Sequence, residues 1–311
     1  MIAPARRLAA LVLALTLAAL SAPAASVDAS GKQLKADGLK HFQSSPRVLI
    51  PTLYAQNLIA GVHKASKGGA HARISAANVG ITPELGRRIA DSLLADLVAQ
   101  LKAAGKEVLL YDDVKGNAVV AGLKAWTPHK EHKLPIASVN VGYGAMDYLV
   151  STPTGVPIQQ HATVAVWDAG VAMRYAKVAK ELDAVVVVPT YRFQCPMLYG
   201  SSRGGIHQSY AKVGIVPSMH VAWVGFQILS PKGAWGSYMM NGVDTVELLE
   251  TVGKIAKTSE SKTSDVSLFD FSSFRSMAKS GYLMTVDTEA YQAAAIQAGK
   301  ELNALFRGQF K

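Results

Sequence analysis

One helical repeat constrains the fold of this chain more than any other feature. Apolar residues recur along it at every fourth position: Leu85, Ile89, Leu93, Leu97 and Leu101. This spacing places them on one face of an amphipathic helix that packs against a core. Thr82 can cap the helix, Pro83 suits its first turn, and Gly105 ends it. Because the strand-like segment 107–114 follows directly, the chain is predicted to layer helix against sheet.

A second helix and a buried strand are predicted further along the chain. Asp168 can cap the helix, and four residues share its apolar face: Val171, Tyr175, Val178 and Leu182. The segment 184–188 is apolar at every position, which predicts a strand buried on both sides. A hairpin follows, in which 219–229 and 234–240 are joined by the turn Ser230–Gly233.

The remaining segments complete the predicted fold. Residues 47–50 indicate the first strand, 60–81 a loop, 244–257 a helix, and 288–305 a last helix. Together the segments predict an α+β fold with a small mixed β-sheet and amphipathic helices packed on one face. The expected order is strand, helix, strand, helix, strand and hairpin, followed by C-terminal helices.

Changes in composition divide the chain into four predicted parts. Residues 1–24 are expected to form a signal peptide, 25–45 a mobile linker, 46–243 an α+β core domain, and 244–311 a C-terminal helical region. The core domain contains a loop-rich insertion at 115–162, where Gly and Pro are frequent.

The amino terminus carries the pattern of an export signal. Arg6 and Arg7 precede the apolar run Leu8–Leu20, and Ala22 and Ala24 supply the small residues that signal peptidase requires. The apolar run is shorter than the roughly 20 residues that span a bilayer as a helix. We therefore expect cleavage near Ala24 and a periplasmic protein. No cysteine lies near residue 25, so no lipid anchor is expected.

The charge of the chain is basic but spread along the sequence. Loss of Arg6 and Arg7 would lower the formal net charge from +10 to +8. A diffuse positive charge favours weak, salt-sensitive attraction to anionic envelope surfaces, and at most peripheral contact with a membrane. It does not predict binding to nucleic acid, which usually requires clustered charge. Cys195 is the only cysteine, so no disulfide can form within the chain.

Four phrases of the sequence resemble one family of envelope proteins. They are "RVLIPTLY" (47–54), "GRRIADSLLADLVAQLKAAGKEVLLYDD" (86–113), "YAKVAKELDAVVVVPTYRF" (175–193) and "HVAWVGFQILSPKGAWGS" (220–237). In their order they are similar to the curli secretion channel family, and more broadly to penicillin-binding-protein activator lipoproteins and the amino-terminal domain of TolB. The resemblance implies a periplasmic domain that docks onto other proteins or assembles with them.

The chain departs from the channel family in two respects. Members of that family carry a lipidated cysteine behind the signal, and this chain has none. They also have membrane-crossing hairpins, which would fall at 191–219 and 236–265 here. Pro196 and Pro217 interrupt the alternation in the first region, and charged residues interrupt it in the second. These departures argue against a pore and favour a periplasmic docking or assembly domain. An oligomeric ring or pore associated with the outer membrane is the alternative.

The candidate site lies on the segment 196–207, which is predicted to be a surface loop that contacts a partner. Its contact residues would be Pro196, Tyr199, Ser202, Arg203 and His207. The loop also fits the G-x-S-x-G pattern of serine hydrolases. That pattern requires a strand, a tight turn and a helix around the serine, and no helix is predicted after Ser202. A periplasmic serine hydrolase that uses Ser202 with His207 or His220 is the alternative.

Two further groups could carry chemistry. Cys195 could act as a thiol nucleophile with His207 or His220 as its base, although a lone cysteine beside a buried strand is typical of packing. The segment 129–133 ("HKEHK") offers donor atoms for zinc, but its spacing matches no closed zinc site and its lysines repel a cation. No metal site and no cofactor are predicted.

These observations favour one function over its alternatives. The sequence predicts an exported, non-catalytic envelope protein that acts as a protein-binding, assembly or secretion-accessory module. Its expected partners are other envelope proteins or a second copy of the chain, and not nucleic acid.

Overall fold

The computed structural model describes residues 34–310, apart from gaps at 68–69, 129–132, 142–143, 160–172, 205–208, 241–245 and 258–280. The strands within the described residues are β1 (Leu34–Asp37), β2 (Arg47–Ile50), β3 (Tyr54–Lys67), β4 (Ala70–Val79), β5 (Glu107–Leu110), β6 (Ile136–Val141), β7 (Gly144–Ser151), β8 (Val185–Gln194), β9 (Met197–Gly204), β10 (Ser209–Val216), β11 (Ser218–Leu229), β12 (Trp235–Met240), β13 (Val246–Thr251), β14 (Gly253–Lys257) and β15 (Tyr282–Val286).

Two long helices and four short ones lie within the described residues. They are α1 (Lys40–Gln43), α2 (Pro83–Ala103), α3 (Tyr111–Val114), α4 (Ala118–Ala121), α5 (Ala176–Leu182) and α6 (Thr288–Arg307), and a 3-10 turn at Gly308–Phe310 ends the last one. Thr82 caps α2 through its side-chain oxygen, which accepts a hydrogen bond of 3.2 Å from the amide of Leu85. Asp287 caps α6 in the same way, accepting from the amides of Glu289 and Ala290.

Thirteen of the described strands form one mixed sheet, and β9 and β10 form a separate antiparallel pair. The buried strand β8 lies at the centre of the large sheet. On one side it pairs antiparallel with β11, and on the other it pairs parallel with β2 and then with β3. The sheet therefore contains both the parallel pairs of an α/β layer and the hairpins of an antiparallel one.

The strand β3 connects the two halves of this sheet. Its first residues, Tyr54–Asn57, pair with β8, whereas Ala60–Lys67 pair antiparallel with β4. Along its other edge, β3 pairs antiparallel with β7, which in turn pairs with β6. Beyond β4 the sheet continues through β15 to β14.

The two long helices cover one face of the sheet. Their apolar sides form the main core together with the odd-numbered side chains of β8. In α2, all five apolar residues that recur at every fourth position, from Leu85 to Leu101, are buried. Phe226 on β11 stacks on Phe306 of α6, with ring centroids 4.1 Å apart. Such aromatic stacking adds to the free energy of burial and fixes the helix on the sheet.

The opposite face carries two smaller apolar clusters. One lies under α4 and α5, where Val178 and Ala179 pack against Val186 and Val188 of β8. The other lies under the hairpin β9–β10, where Leu198 packs with Met146 and Tyr148 of β7 and with neighbouring residues of β3 and β4. Both faces of the sheet are therefore covered over part of their area.

The predicted fold class is wrong in the size and the covering of the sheet. The chain forms a mostly β structure around a 13-stranded mixed sheet and not a small sheet. Short helices cover the second face, so the helices are not confined to one side. Five predicted elements agree with the structure: the helix α2, the strand at 47–50, the buried strand predicted at 184–188, which begins at Val185, the hairpin β11–β12 and the last helix.

Several segments predicted as loops or helices are strands. Residues 60–81, expected to be a loop, belong mostly to β3 and β4. The predicted helix at 244–257 is replaced by β13 and β14. A side chain at Gly253 would overlap the carbonyl oxygen of Thr285, so glycine here allows β14 to approach β15 closely.

Two predicted domain segments also contain regular structure. Within the predicted linker 25–45, β1 pairs with β12 and α1 follows it. Within the predicted insertion 115–162, β7 is paired with β3 as part of the main sheet. The division of the chain into domains stays a prediction.

Candidate functional site

The segment that carries the predicted contact residues forms a β-hairpin and not a loop. β8 ends at Gln194, and Pro196 is buried in the turn that follows. β9 and β10 then pair along their whole length of eight residues each, from Met197 opposite Val216 to Gly204 opposite Ser209. The hairpin leaves the plane of the sheet at this turn and lies over β3 and β4.

Small residues allow this hairpin to lie close to the sheet. A Cβ atom added to Gly200 would lie 2.6 Å from Nε2 of His63, so only glycine fits where β9 crosses β3. Burial lowers the pKa of His63, which therefore packs as a neutral side chain. On the outer side, the ring of Tyr199 covers Gly214 of the paired strand.

The five predicted contact residues have different surroundings. Pro196 is buried, whereas Tyr199 is 42% exposed and Ser202 is exposed. Arg203 pairs with Tyr210 in the register of the hairpin. His207 lies outside the described residues. The hairpin thus presents Tyr199 and Ser202 on its surface, and Pro196 has a packing role.

The surroundings of Ser202 do not match a nucleophile elbow. This serine lies within β9, opposite Ala211 of β10, and not at a sharp turn between a strand and a helix. His220, one of its predicted partners, is buried on β11, where it pairs with Gln194. The exposed serine and the buried imidazole therefore lie in different environments.

Cys195 and His220 are poorly suited to nucleophilic catalysis. Burial raises the pKa of the Cys195 thiol to about 12 and lowers the pKa of His220 to about 4. The thiol packs in the helix-side core with Met219 and Val221. Because side chains alternate along β11, His220 lies on the opposite face. A thiolate-imidazolium pair is not formed by these two groups.

A group of buried polar side chains lies between the two apolar clusters on the hairpin side of the sheet. We call it the polar junction: Gln56, Tyr148, Arg192 and Gln194. Nε and Nη2 of Arg192 donate hydrogen bonds of 3.0 and 2.9 Å to Oε1 of Gln56. The hydroxyl of Tyr148 donates a hydrogen bond of 3.2 Å to Oε1 of Gln194. These bonds join β3, β7 and β8.

Arg192 is held at this junction by aromatic rings and an amide. Its guanidinium lies 4.8 Å from the ring centroid of Tyr148 and 5.7 Å from that of Trp223. Burial lowers the pKa of Arg192. No carboxylate among the described side chains forms an ion pair with it. Arg192 was not among the predicted site residues, although its alternation with Tyr191 and Phe193 indicates a polar face of the strand.

The strand β6 is an edge of the sheet. Among the described strands it pairs only with β7. Its sequence, "IASVNV", contains no charged residue. Natural sheets usually protect their edges with charged side chains, proline or bulges, because an unpaired strand can add a strand of another chain.

The other edge strands carry such charges. Lys254 and Lys257 are exposed on β14, Lys35 and Asp37 lie on β1, Glu107 begins β5, and the sequence of β13 contains Glu247 and Glu250. Among these five edge strands of the main sheet within the described residues, β6 is therefore the least protected.

The register of β6 shows which of its amides face away from β7. The amide of Val150 donates to the carbonyl of Pro135, the residue directly opposite it. Hydrogen-bonded and non-hydrogen-bonded pairs alternate in an antiparallel ladder. Every second residue counted from Pro135 therefore forms its backbone hydrogen bonds with β7. The residues between them, Ile136, Ser138 and Asn140, present their backbone groups outward. Three outward positions suit one short added strand.

Two kinds of feature are absent from the described part of the chain. No three His, Cys, Asp or Glu side chains there come together in a way that could hold a metal ion. The segment 129–133, considered for zinc, lies mostly outside the described residues. None of the described helices combines the length and hydropathy needed to cross a bilayer.

Comparisons with protein-family models, with curated proteins and with solved structures found no match to this chain.

Proposed function

We propose that this protein is an exported, non-catalytic module of the cell envelope that binds an extended segment of another envelope protein. The segment would add to β6 as a further antiparallel or parallel strand. The observation that carries this proposal is the edge of β6, which has no described partner strand on its outer side and no charged residue.

The main sheet supports such a role because it holds the edge rigidly. β6 pairs with β7, and β7 pairs with β3, whose own ladder to β4 and β8 runs through the centre of the sheet. The polar junction lies beneath and joins three of these strands through buried hydrogen bonds. A rigid edge loses little conformational entropy when a peptide binds.

The surroundings of the candidate nucleophiles favour binding over catalysis. Ser202 lies within a strand, and Cys195 and His220 are buried as neutral groups on opposite faces. The pattern of residues 6–24 supports export, and the resemblance to the curli secretion channel family supports a role in the envelope.

The proposal is tested by blocking the edge without breaking the ladder to β7. In Asn140→Pro, an outward N–H is lost while the inward hydrogen bonds of β6 are kept. Asn140→Ala removes the same side chain but keeps the N–H, and serves as the matched control. Both variants are expressed in cells, cross-linked and compared with wild type by quantitative mass spectrometry, after circular dichroism has shown that they fold.

We expect Asn140→Pro to lose at least one envelope protein from its cross-linked neighbours, and Asn140→Ala to retain it. Identical neighbours for both variants would contradict the proposal. Sedimentation of the purified protein tests the self-association alternative. If Asn140→Pro only converts a dimer to a monomer, a second copy occupies the edge and the proposed partner is wrong.

A further inference from the structure

The β3–β4 hairpin and the β9–β10 hairpin lie one on the other, and all their charged residues are basic. We call them the basic hairpin pair, defined as residues 54–79 and 197–216. They contain five lysine or arginine residues and no Asp or Glu: Lys64, Lys67, Arg73, Arg203 and Lys212. The charge looks diffuse along the sequence, and the fold brings it together.

The charges lie where the hairpin pair becomes exposed. His63 and Ile74, which face each other across β3 and β4, are buried. Beyond them Lys64, Lys67 and Arg73 are exposed. Lys212 is also exposed, on the neighbouring hairpin. The outer part of the pair therefore presents cationic side chains to solvent and not an apolar face.

Two of these charges repel each other directly. Lys64 lies opposite Arg73 in the β3–β4 ladder, and like charges at opposed positions destabilise an antiparallel pair. The ion pairs among the described residues lie elsewhere, at Arg47–Glu107, Lys115–Asp112 and Lys177–Glu181. The fold thus keeps an uncompensated positive potential at this place, which an anionic partner would relieve.

The neighbouring strands extend the basic region. Lys254 and Lys257 are exposed on β14, and Lys257 pairs with Tyr282, which pairs with Ala76 of β4. The acidic residue on the other side is Asp147 of β7, opposite Ala60 and near the buried end of the hairpin. Its carboxylate accepts a hydrogen bond of 2.5 Å from the hydroxyl of Ser138.

We propose that the basic hairpin pair is a contact site for the anionic headgroups of a lipid membrane. Lys64 and Arg73 share one face of their hairpin, and Lys212 lies on the other hairpin, which packs on the opposite face. An end-on approach of the β3–β4 hairpin would bring Lys64, Lys67 and Arg73 to a membrane, because all three lie within the last four residue pairs of this ladder. The residues between the charges are small (Ala65, Ala70 and Ala72), so they form no pocket that would select a peptide side chain.

The physical basis of this contact is long-range attraction. Each lysine or arginine near an anionic bilayer adds a factor of roughly five to the partition coefficient, and salt weakens the effect. This proposal does not depend on the edge of β6.

The test measures co-sedimentation of the purified full chain with lipid vesicles. The vesicles contain either phosphatidylcholine alone or phosphatidylcholine with one third phosphatidylglycerol, at low and at physiological salt. The test variant is K64Q/K67Q/R73Q. The control variant, K102Q/K124Q/K300Q, removes three exposed charges at other sites, so both variants have the same net charge. Thermal unfolding verifies that both variants fold.

We expect wild type to bind the anionic vesicles and not the neutral ones, with weaker binding at higher salt. The test variant should bind roughly a hundredfold more weakly than wild type, and the control less than tenfold. Equal losses in the two variants would show that only net charge matters and would overturn the proposal. Failure of wild type to bind anionic vesicles would also overturn the proposal. So would stronger binding to polyglutamate than to vesicles, if it depended equally on Lys64, Lys67 and Arg73, because the partner would then be an acidic polypeptide.

Discussion

The hydroxyl of Tyr291 donates a hydrogen bond of 2.9 Å to Oδ1 of Asn57, and both side chains are fully buried. This bond joins α6, near the carboxyl terminus, to β3 at the centre of the sheet. Burial raises the pKa of Tyr291 well above its usual value, so the hydroxyl keeps its proton in alkaline solution. The bond therefore holds two distant parts of the chain together over a wide pH range.

Removal of this hydroxyl should destabilise the fold. In Tyr291→Phe, the buried oxygen of Asn57 loses its donor, which costs about 1–3 kcal/mol. Urea unfolding followed by circular dichroism measures the change. Tyr282→Phe, at a partly exposed position, is the control and should change stability much less. Equal stability of Tyr291→Phe and wild type would show that the bond contributes nothing.

The stability of the protein should fall in mild acid because of His220. Its pKa is about 4 in the folded state, against 6.5 for an ordinary histidine. The unfolded chain thus binds a proton between these values and the folded chain does not, so stability is complete above pH 6.5 and is lost as pH falls to 4. The difference corresponds to about 3 kcal/mol.

The measurement compares urea unfolding at pH 7.5 and at pH 4.5 for wild type and His220→Gln. His63 has a pKa lowered in the same direction and contributes with the same sign, so the difference between the two proteins isolates His220. We expect the variant to lose less stability between the two pH values. Parallel losses in both proteins would exclude His220 as the source.

The contact between the two long helices should not tolerate a methyl group at Gly299. A Cβ atom there would overlap the side chain of Leu93 on α2. Gly299→Ala should therefore destabilise by about 1–3 kcal/mol through overpacking, although alanine favours a helix more than glycine does. Gly308, at the end of α6, has open space around it, so Gly308→Ala is the matched control and should be neutral or stabilising.

Thermal unfolding of the two alanine variants checks this contact. A second test combines Gly299→Ala with Leu93→Ala, which removes the overlapping atoms. The effects of the two substitutions should be less than additive. Full additivity would mean that the glycine does not serve this helix contact.

The cap of α2 should depend on the side-chain oxygen of Thr82. Thr82→Ala removes the acceptor for the amide of Leu85 and should cost about 1 kcal/mol of stability. Thr82→Ser keeps the oxygen and should lose little. Denaturant unfolding of both variants measures this difference, and similar losses in the two would assign the effect to the methyl group of Thr82.

The sequence predicted elements whose apolar pattern is strong. The repeat from Leu85 to Leu101 identified α2, and the continuous apolar run 185–188 identified the buried strand β8. In both cases the pattern itself reflects burial, because one face of the helix and both faces of the strand lie in a core. The turn at Ser230–Gly233 likewise indicated the β11–β12 hairpin.

The size of the sheet could not be predicted because many of its strands consist of small residues. β3 and β4 contain Ala, Ser and Gly where a half-buried strand usually carries branched side chains. These residues are small since β9 and β10 lie directly above them, as the contact of Gly200 with His63 shows. Only the tertiary contact explains the composition, and it is not visible in any single segment.

The candidate site was predicted only in part. Tyr199 and Ser202 are exposed, but they lie within the strand β9 and not in a loop. Their contact with a partner stays a prediction. The edge strand β6 lies within the predicted loop-rich insertion 115–162, and its edge was not predicted, because an edge is defined by what does not pair with it. The clustering of Lys64, Lys67 and Arg73 depends on how β3 and β4 pair, and the charge count of the chain does not contain that information.

The unbroken course of β3 has a mechanical consequence. A pull on its outer end at Lys67 travels along a single extended backbone to Tyr54 in the middle of the sheet. There the hydrogen bonds to β7 and β8 lie across the direction of the pull, so many of them must slide and break together. Tension applied at Lys67 is therefore distributed over the hydrogen bonds that join β3 to β7 and β8.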